Sequence, residues 1–484
     1  MSLKISDFGP IEDAEIELKR YTILIGKNNL GKSYLTQLFH IFYNVFRFQL
    51  MGINELYYVV DRPFRRERRL HLYSEYEMGY RFRAPMYEIK ISNDVIIEIR
   101  KRLRNKRINN KNIFTMLFTI FNKNIPKSLN DNIQIALERT YGTELKNLVS
   151  INKTKSIIQF EYNEYNTLHI EITNKGTMKI QFKPNRVQLK NLEIKIIPII
   201  DDTRKLKRLT EKRIIQFMLK CLEPILTMSV LESIYIPAGR AGLIEGYDTL
   251  VSIFIDLASV APLYGITMPP IHGLASEFYN VLFSLRGGRG PYYAIAEKMV
   301  DILGGSITIR RPRGLPSGAG RFYYTFKMED KTRSIPVIQA ASMIKELTPI
   351  YLIIRESFYP NSIITIEEPE SHLHPSAQCH LVEVFSELIS KETNIIITTH
   401  SDLLVRKIGN LIGRYKYPEK ENAFSINPES VVLYLIKEQE KGSISKIIPI
   451  PDDGVFEEIP EFDEVVNELY EEQLKYQRYS QMEV

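Results

Sequence analysis

Apolar and polar residues alternate at the start of the chain, which indicates short β-strands. The segments LKISDF (3–8) and AEIELK (14–19) have a two-residue period, and Gly9-Pro10 between them predicts a turn joining two antiparallel strands. YTILIG (21–26) is continuously apolar and predicts a buried strand. The aromatic-rich segment that follows, 33–52, has helical spacing and ends at a glycine, so we expect a helix there.

The middle of the chain mixes strand and helix patterns. Alternating segments with turn residues between them predict antiparallel strands within 86–103, 156–182, 193–200 and 306–330. Helical spacing predicts helices at 113–122, 130–140 and 209–229.

From residue 334 onward, buried strands and helices alternate. The apolar strand SIITIEEPE (362–370) is followed by a predicted helix (376–391) and a second apolar strand, NIIITTH (394–400). This order predicts a parallel sheet covered by helices on both faces. Residues 429–450 predict a hairpin, and 458–479 predict a charged terminal helix.

Composition limits the class of protein. The chain has 484 residues, 44% apolar and 25% charged, which is typical of globular proteins with two or three compact units. The N-terminus has no signal-peptide pattern, and the apolar stretch 250–271 is interrupted by Asp256 and Pro262, so we interpret it as a buried helix, with a membrane span as the alternative. Cys221 and Cys379 are too few for a zinc site or a disulfide framework. These features predict a cytoplasmic protein without a membrane partner.

The net charge of +6 is concentrated in four basic runs, which are 62–70, 100–111, 203–213 and 310–314. Solvated helix faces and loops explain any single run. Four runs together indicate a nucleic-acid partner, DNA or RNA, because clustered Lys and Arg neutralise phosphates. Both interpretations stay open at this point.

The octet GKNNLGKS matches the Walker A pattern and lies between a predicted strand and a predicted helix. Glycines allow the tight loop whose N–H groups face phosphates, and the helix N-terminus adds its dipole. We expect Lys32 to contact the phosphates and Ser33 to bind Mg²⁺. The predicted ATP-binding residues of this loop are Gly26, Lys27, Asn28, Asn29, Leu30, Gly31, Lys32 and Ser33. A plain glycine turn before a helix is the alternative.

Three further positions complete a site for hydrolysis. Glu367 and Glu368 end a buried strand, where α/β sheets place their ligands, so Glu367 is assigned to the Mg²⁺ shell and Glu368 to the attacking water. His400 ends the next strand and can reach a γ-phosphate. Ser342, in QAASMIKEL, stands at a helix start as a cap and phosphate ligand. A strand ending in solvent-exposed acid would explain the glutamates but not this order of motifs.

The order GKNNLGKS, QAASMIKEL, IEEPESHLHP and TTHSD resembles the ABC-type ATPases of the RecF/SMC/OLD group. It is most similar to the stand-alone AAA_15-type relatives of the OLD (overcoming lysogenization defect) proteins, over residues 1–45 and roughly 230–440. The resemblance implies that Glu367 takes the place of the Walker B aspartate and that PESHLHP is the D-loop region. It implies that His400 is the switch histidine and that Ser342, in the signature motif, reaches the nucleotide held by the other subunit.

Arg240, in YIPAGR, is similar to an arginine found after a strand in these ATPases, and it either lines the nucleotide site or forms a structural ion pair. The signature reads Ala341-Ser342-Met343, whereas relatives tend to have Ser-Ser-Gly, and the missing glycine predicts slow hydrolysis.

The region after His400 predicts no nuclease. Full-length OLD proteins carry a C-terminal Toprim nuclease, but only 84 residues follow His400, and Asp452-Asp453 is interpreted as a turn. The resemblance therefore implies a separate nuclease or effector partner.

Together these observations predict an α/β protein, a P-loop NTPase with an ABC-ATPase-like head, an antiparallel β lobe and a helical/β insertion. The expected domains are a discontinuous core (1–50 and 231–440), a basic insertion (51–230) and a C-terminal hairpin end and helix (441–484). The expected function is Mg²⁺-dependent ATP hydrolysis by a homodimer that ATP closes, acting on nucleic acid in DNA repair or antiviral defence. The alternatives are a nucleotide-gated scaffold with little hydrolysis and, less favoured, a small-molecule kinase.

Overall fold

The computed structural model describes residues 1–45, 129–162, 166–184, 233–250, 273–311, 320–418 and 424–482. Its strands, in chain order, are β1 (Ser2–Phe8), β2 (Ile11–Glu17), β3 (Tyr21–Ile25), β4 (Lys155–Glu161), β5 (Asn166–Thr173), β6 (Met178–Pro184), β7 (Ser233–Ile236), β8 (Ser306–Arg310), β9 (Arg321–Met328), β10 (Lys331–Pro336), β11 (Ile363–Glu367), β12 (Asn394–Thr398), β13 (Val431–Gln439) and β14 (Gly442–Ile448).

The helices within the same ranges are α1 (32–45), α2 (129–141), α3 (240–250), α4 (Gly273–Ser284), α5 (Tyr293–Glu297), α6 (Met299–Leu303), α7 (Ser342–Glu356), α8 (Pro375–Ser390), α9 (Asp402–Lys416) and α10 (Phe462–Met482).

The first of two compact units comprises Met1–Glu17 and Gln37–Ser233. Its strands lie in the order β6-β5-β4-β1-β2, and each strand pairs antiparallel with its neighbour. Aromatic side chains of α1 cover this sheet, with Phe42 stacked on Phe160 at 5.2 Å between ring centres. Leu3 and Ile5 of β1 and Ala14 and Ile16 of β2 are buried in alternation, as the two-residue period predicts, and the alternation is lost toward the turn that joins the two strands.

The second unit comprises Leu18–Thr36 and Ile234–Val484. Its main sheet has the order β14-β13-β3-β12-β11-β7, in which β13, β3, β12 and β11 run parallel. All residues of β3 and β11 are buried, as expected for strands covered on both faces. This arrangement confirms the predicted α/β, P-loop NTPase fold, and it aligns the carboxyl ends of β3, β12 and β11 at one edge of the sheet.

The small sheet β10-β9-β8 is antiparallel and belongs to the second unit. β8 and β9 match the predicted β segment at 306–330, whereas the sequence pattern did not predict β10. β13 and β14 form the predicted hairpin, and residues 452–453 form the predicted turn, closed by a 2.9 Å hydrogen bond from Gly454 N–H to the Pro451 carbonyl.

Several predicted segments lie outside the described residues. They are the strands at 86–103 and 193–200, the helices at 113–122 and 209–229, the basic runs at 62–70, 100–111 and 203–213, and nearly all of the apolar stretch 250–271. In the part of the chain that is described, no helix has the length and apolar character needed to cross a membrane. The predicted domain boundaries stay a prediction.

Candidate nucleotide-binding site

The Walker A octet forms a tight loop between β3 and α1. Gly26 has a φ of +136°, and a Cβ atom there would approach the Ile436 carbonyl oxygen of β13 to 2.2 Å, so no other residue fits without moving the strand. Gly31 (φ +90°) and Asn29 (φ +64°) also have left-handed backbones. Ser443 of β14 donates a 2.6 Å hydrogen bond to the Leu30 carbonyl. The loop is therefore held in shape by its own strand neighbours.

Lys32 is buried inside this loop, with 6% of its surface exposed. Its Nζ atom donates hydrogen bonds to the carbonyl oxygens of Gly26 and Lys27, both at 2.7 Å. Burial lowers the pKa of Lys32 to about 8, although the carboxylate of Glu368 acts in the opposite direction. The ammonium is thus positioned for phosphate but only weakly stabilised in its charged form.

We expect ATP binding to take up protons at alkaline pH. Above pH 8 much of the empty site holds a neutral Lys32, and bound phosphates restore the charged form, so affinity should fall as the pH rises past about 8. Calorimetric titrations at pH 7 and pH 9, in buffers of different ionisation enthalpy, measure this uptake. Lys32→Met should remove it, and wild-type binding at pH 9 without proton uptake would contradict the assignment.

Glu367 ends β11, and protein donors engage both of its carboxylate oxygens. Tyr235 donates to Oε1 at 2.6 Å, and the Ala238 N–H donates to Oε2 at 3.1 Å. The Tyr235 hydroxyl also lies 3.2 Å from the Thr36 hydroxyl of α1, one turn beyond Ser33. Each oxygen keeps a lone pair, so Glu367 fits a Mg²⁺ shell through a metal-bound water, which suits an ion that keeps several waters. The described residues contain no group of three or more His, Cys, Asp or Glu side chains that could hold a metal ion by themselves.

Glu368 follows β11 with a φ of +42°, an unfavourable conformation for a residue with a side chain. Its N–H donates to the Thr398 carbonyl of β12 at 2.9 Å, and this bond holds the turn. The side chain is 42% exposed, and its Oε1 lies 3.9 Å from Nε2 of His400. A carboxylate held open to solvent in a strained turn is suited to bind a water molecule.

His400 follows β12 and is 31% exposed. Burial and the charge of Lys32 lower its pKa, and Glu368 opposes this shift only in part. The imidazole is therefore neutral at pH 7 and can both donate and accept hydrogen bonds.

Glu370 is a residue that motif reasoning did not assign to the site. Its Oε1 accepts hydrogen bonds from the Thr399 hydroxyl (2.8 Å) and from the His400 N–H (2.7 Å). This carboxylate joins the turn after β11 to the turn after β12 and positions the backbone of His400. The only sequence signal for this role is that Glu370 is the third acid of EEPE (367–370), and the sequence does not reveal which way its side chain points.

Arg240 is fully buried and lies under the turn that follows β11. Nε is 2.9 Å from Oε2 of Glu346, which is 1% exposed, and the Nε–H points to the Glu346 carbonyl oxygen at 3.2 Å. The guanidinium also donates to the carbonyl oxygens of Glu367 (2.5 Å) and Glu368 (2.9 Å). These contacts favour the structural ion pair over a role in lining the nucleotide site.

Ser342 does not cap its helix, so that part of the prediction is wrong. The N-cap of α7 is Ala341, which has an extended backbone and no side-chain cap, and Ser342 is the first helical residue. Ser342 is exposed, and among the described contacts none joins it to the Walker A loop, Glu368 or His400. The first-turn N–H groups of α7 are thus left without a side-chain cap, which suits an external anion.

A cleft of about 510 Å³ opens beside the Walker A loop. Its lining is polar and charged, and consists of Lys27, Lys437, Glu438, Gln439, Glu440 and Glu461. The volume is within the range of small-molecule sites.

The model of the AAA_15 family, described as an AAA ATPase domain, matches residues 1–247 and 321–405, more than half of the chain. The chain belongs to the AAA_15 family. Nucleotide binding by this AAA_15 protein follows from the family and agrees with the preformed loop around Lys32. None of the curated proteins is a significant match to the chain.

Solved structures similar to this AAA_15 protein include three SMC head domains. One, an SMC head bound to the C-terminal winged-helix domain of ScpA, is 11% identical over 93% of this chain and 97% of that chain, with a TM-score of 0.39. A second, bound to the C-terminal domain of ScpA from Pyrococcus furiosus, is 11% identical over 98% of each chain, with a TM-score of 0.38. The head from Thermotoga maritima is 11% identical over 93% of this chain and 98% of that chain, with a TM-score of 0.34. The family assignment rests on the sequence match.

Proposed function

We propose that this AAA_15 protein hydrolyses ATP in a Mg²⁺-dependent reaction at the carboxyl ends of β3, β12 and β11. The observation that carries the proposal is that Lys32, Glu368 and His400 lie together there. Lys32 follows β3, Glu368 follows β11 and His400 follows β12, and these three strands are parallel neighbours. A site of this kind supplies a phosphate-binding cation, a carboxylate open to water and a neutral imidazole.

The residues have separate roles in this proposal. The Walker A N–H groups and Lys32 bind the phosphates, and Glu368 orients and activates the attacking water. His400, positioned by Glu370, contacts the γ-phosphate as a neutral donor. Ser33 and Glu367 would hold Mg²⁺, which supplies neutralisation of phosphate charge.

We further propose that two copies close on two nucleotides, with Ser342 of one subunit completing the site of the other. The exposed N-terminus of α7, which has no side-chain cap, supports this arrangement, because its N–H groups can donate hydrogen bonds to a γ-phosphate. ATP is then a ligand that favours the closed dimer, and its hydrolysis resets the dimer. We expect slow ATP hydrolysis, because Met343 stands where relatives tend to have a glycine that allows close approach to the phosphate.

Mixing two inactive variants tests the shared site. Ser342→Arg blocks the signature helix, and Glu368→Gln removes the catalytic carboxylate, so each variant alone should lose turnover. A mixed dimer contains one intact site, built from Glu368 of one subunit and Ser342 of the other, and should recover up to about half of the wild-type rate per dimer. Phosphate release from co-expressed variants measures this. No recovery, with mixed dimers shown by differential tags, would contradict the shared site.

Nucleic acid is the partner that the four basic runs of the sequence support, in a setting of DNA repair or antiviral defence. A separate nuclease or effector would then act on the nucleic acid. The alternative function is a nucleotide-gated scaffold with little or no hydrolysis, and the missing glycine in the Ala341-Ser342-Met343 signature keeps this alternative open. ATP-dependent dimerisation without turnover would distinguish the scaffold.

A further inference from the structure

Glu461 places a carboxylate beside the Walker A loop. It lines the polar cleft there together with Lys27 of the octet. Burial lowers the pKa of Lys32, and the charges of Glu368 and then Glu461 act in the opposite direction, so Glu461 lies within electrostatic range of the phosphate-binding lysine. The Oε2 atom of Glu461 is buried, and within the described part of the chain no group donates a hydrogen bond to it. A buried carboxylate oxygen without a donor is unfavourable and requires an explanation.

The backbone around Glu461 is strained and held in place. Glu461 has a φ of +69°, which is unfavourable for a residue with a side chain. The segment before it is packed directly on α9, because a Cβ atom at Gly454 would collide with the carbonyl oxygen of Gly409. Two residues after it, Asp463 forms an ion pair with Arg406 of α9. A strained residue that its surroundings hold in position is typical of ligand-binding sites.

The order of the strands indicates which end of a bound nucleotide reaches the cleft. β3, which leads into the Walker A loop, lies between β12 and β13, and both neighbours are parallel to it. If ATP binds as proposed above, its γ-phosphate lies toward Glu368 and His400, on the β12 side. The sugar then leaves the loop on the β13 side, where Lys437, Glu438 and Gln439 end β13 and line the cleft.

The chemistry of the cleft fits a sugar. Its six lining residues are all polar or charged, so they offer no aromatic or aliphatic residue on which a base could stack. A carboxylate only accepts hydrogen bonds, and the ribose hydroxyls are the donors of ATP that lie nearest to its phosphates. Glu438 and Glu440 are exposed, whereas Glu461 is half-buried and held by its backbone, so Glu461 loses less freedom when a ligand binds.

We propose that Glu461 accepts hydrogen bonds from the ribose hydroxyls of bound ATP and makes the site specific for nucleotides that carry them. The last bond of a glutamate side chain rotates easily, so either oxygen can turn toward the cleft. A hydroxyl supplies the donor that the carboxylate lacks, and an analogue without hydroxyls leaves the carboxylate unpaired. The same charge repels the phosphates, so Glu461 contributes selectivity at some cost in affinity.

Equilibrium titrations of the full chain with ATP and with 2′,3′-dideoxy-ATP measure this specificity, in EDTA so that neither nucleotide is hydrolysed. The wild type should bind ATP at least about tenfold more tightly, as expected for a hydrogen bond to a charged group. Glu461→Gly removes the carboxylate and suits the left-handed backbone, so this variant should fold and bind the two nucleotides within about twofold of each other. Equal affinities in the wild type, or an unchanged ratio in Glu461→Gly, would overturn the proposal.

Two controls separate a contact with the sugar from a structural role. Glu458→Gly makes the same change at an exposed position three residues earlier and should keep the wild-type ratio. Tripolyphosphate, which has no sugar, should bind Glu461→Gly at least as tightly as the wild type, because a repelling charge is removed. Weaker binding of tripolyphosphate and of both nucleotides would show a structural role and overturn the sugar contact alone. A wild type that binds neither nucleotide would overturn ATP binding at the Walker A loop, and the sugar contact with it.

Discussion

Replacing Glu368 by glutamine should reduce ATP turnover by about 100-fold or more while leaving ATP binding intact. Glutamine has the same shape but cannot take a proton from the attacking water. The Walker A loop and Lys32 are not changed, so the variant should accumulate as an ATP-bound closed dimer. Phosphate release, nucleotide retention and size exclusion, each with and without duplex DNA, measure these effects.

A matched control is available on the same sheet. Glu392 precedes β12 at the opposite edge and is 68% exposed, so Glu392→Gln makes the same chemical change away from the site and should keep wild-type turnover. Faster wild-type turnover with DNA would identify the partner class. Full activity of Glu368→Gln would assign catalysis to another residue, and a wild type that binds ATP without ever hydrolysing it would support the scaffold.

Replacing Arg240 by methionine should lower the free energy of unfolding by about 3–5 kcal/mol. The substitution leaves the carboxylate of Glu346 buried without its cation and frees the carbonyl oxygens of Glu367 and Glu368. We expect a lower urea midpoint for the second unit and, because the turn after β11 loosens, reduced turnover as well.

Two variants separate the buried pair from a general effect of lost charge. Arg240→Met combined with Glu346→Leu removes both charges and should recover part of the stability. Lys298→Met breaks the more exposed ion pair with Glu387 and should change stability by less than about 1 kcal/mol. An Arg240→Met protein as stable as the wild type, with weaker ATP binding, would instead place Arg240 in the nucleotide site.

The sequence by itself determined the P-loop NTPase fold, most of the described strands and the candidate residues at one edge of the sheet. Short, continuous apolar runs that end in glycine (β3), acid (β11) or histidine (β12) specified three strands, because a run of four to eight apolar residues rich in isoleucine suits a strand buried on both faces. The Walker A octet specified the loop, since Gly26 must allow the close approach of a neighbouring strand. The acids after β11 and the histidine after β12 could be placed at one sheet edge because parallel strands end together.

Only the tertiary structure decided what each polar side chain contacts. Local pattern does not encode direction, so it could not show that Arg240 points into the protein toward Glu346, that Glu370 holds the His400 backbone, or that Ala341 rather than Ser342 occupies the N-cap. These contacts join residues far apart in sequence, and their energies depend on burial that only the folded chain creates.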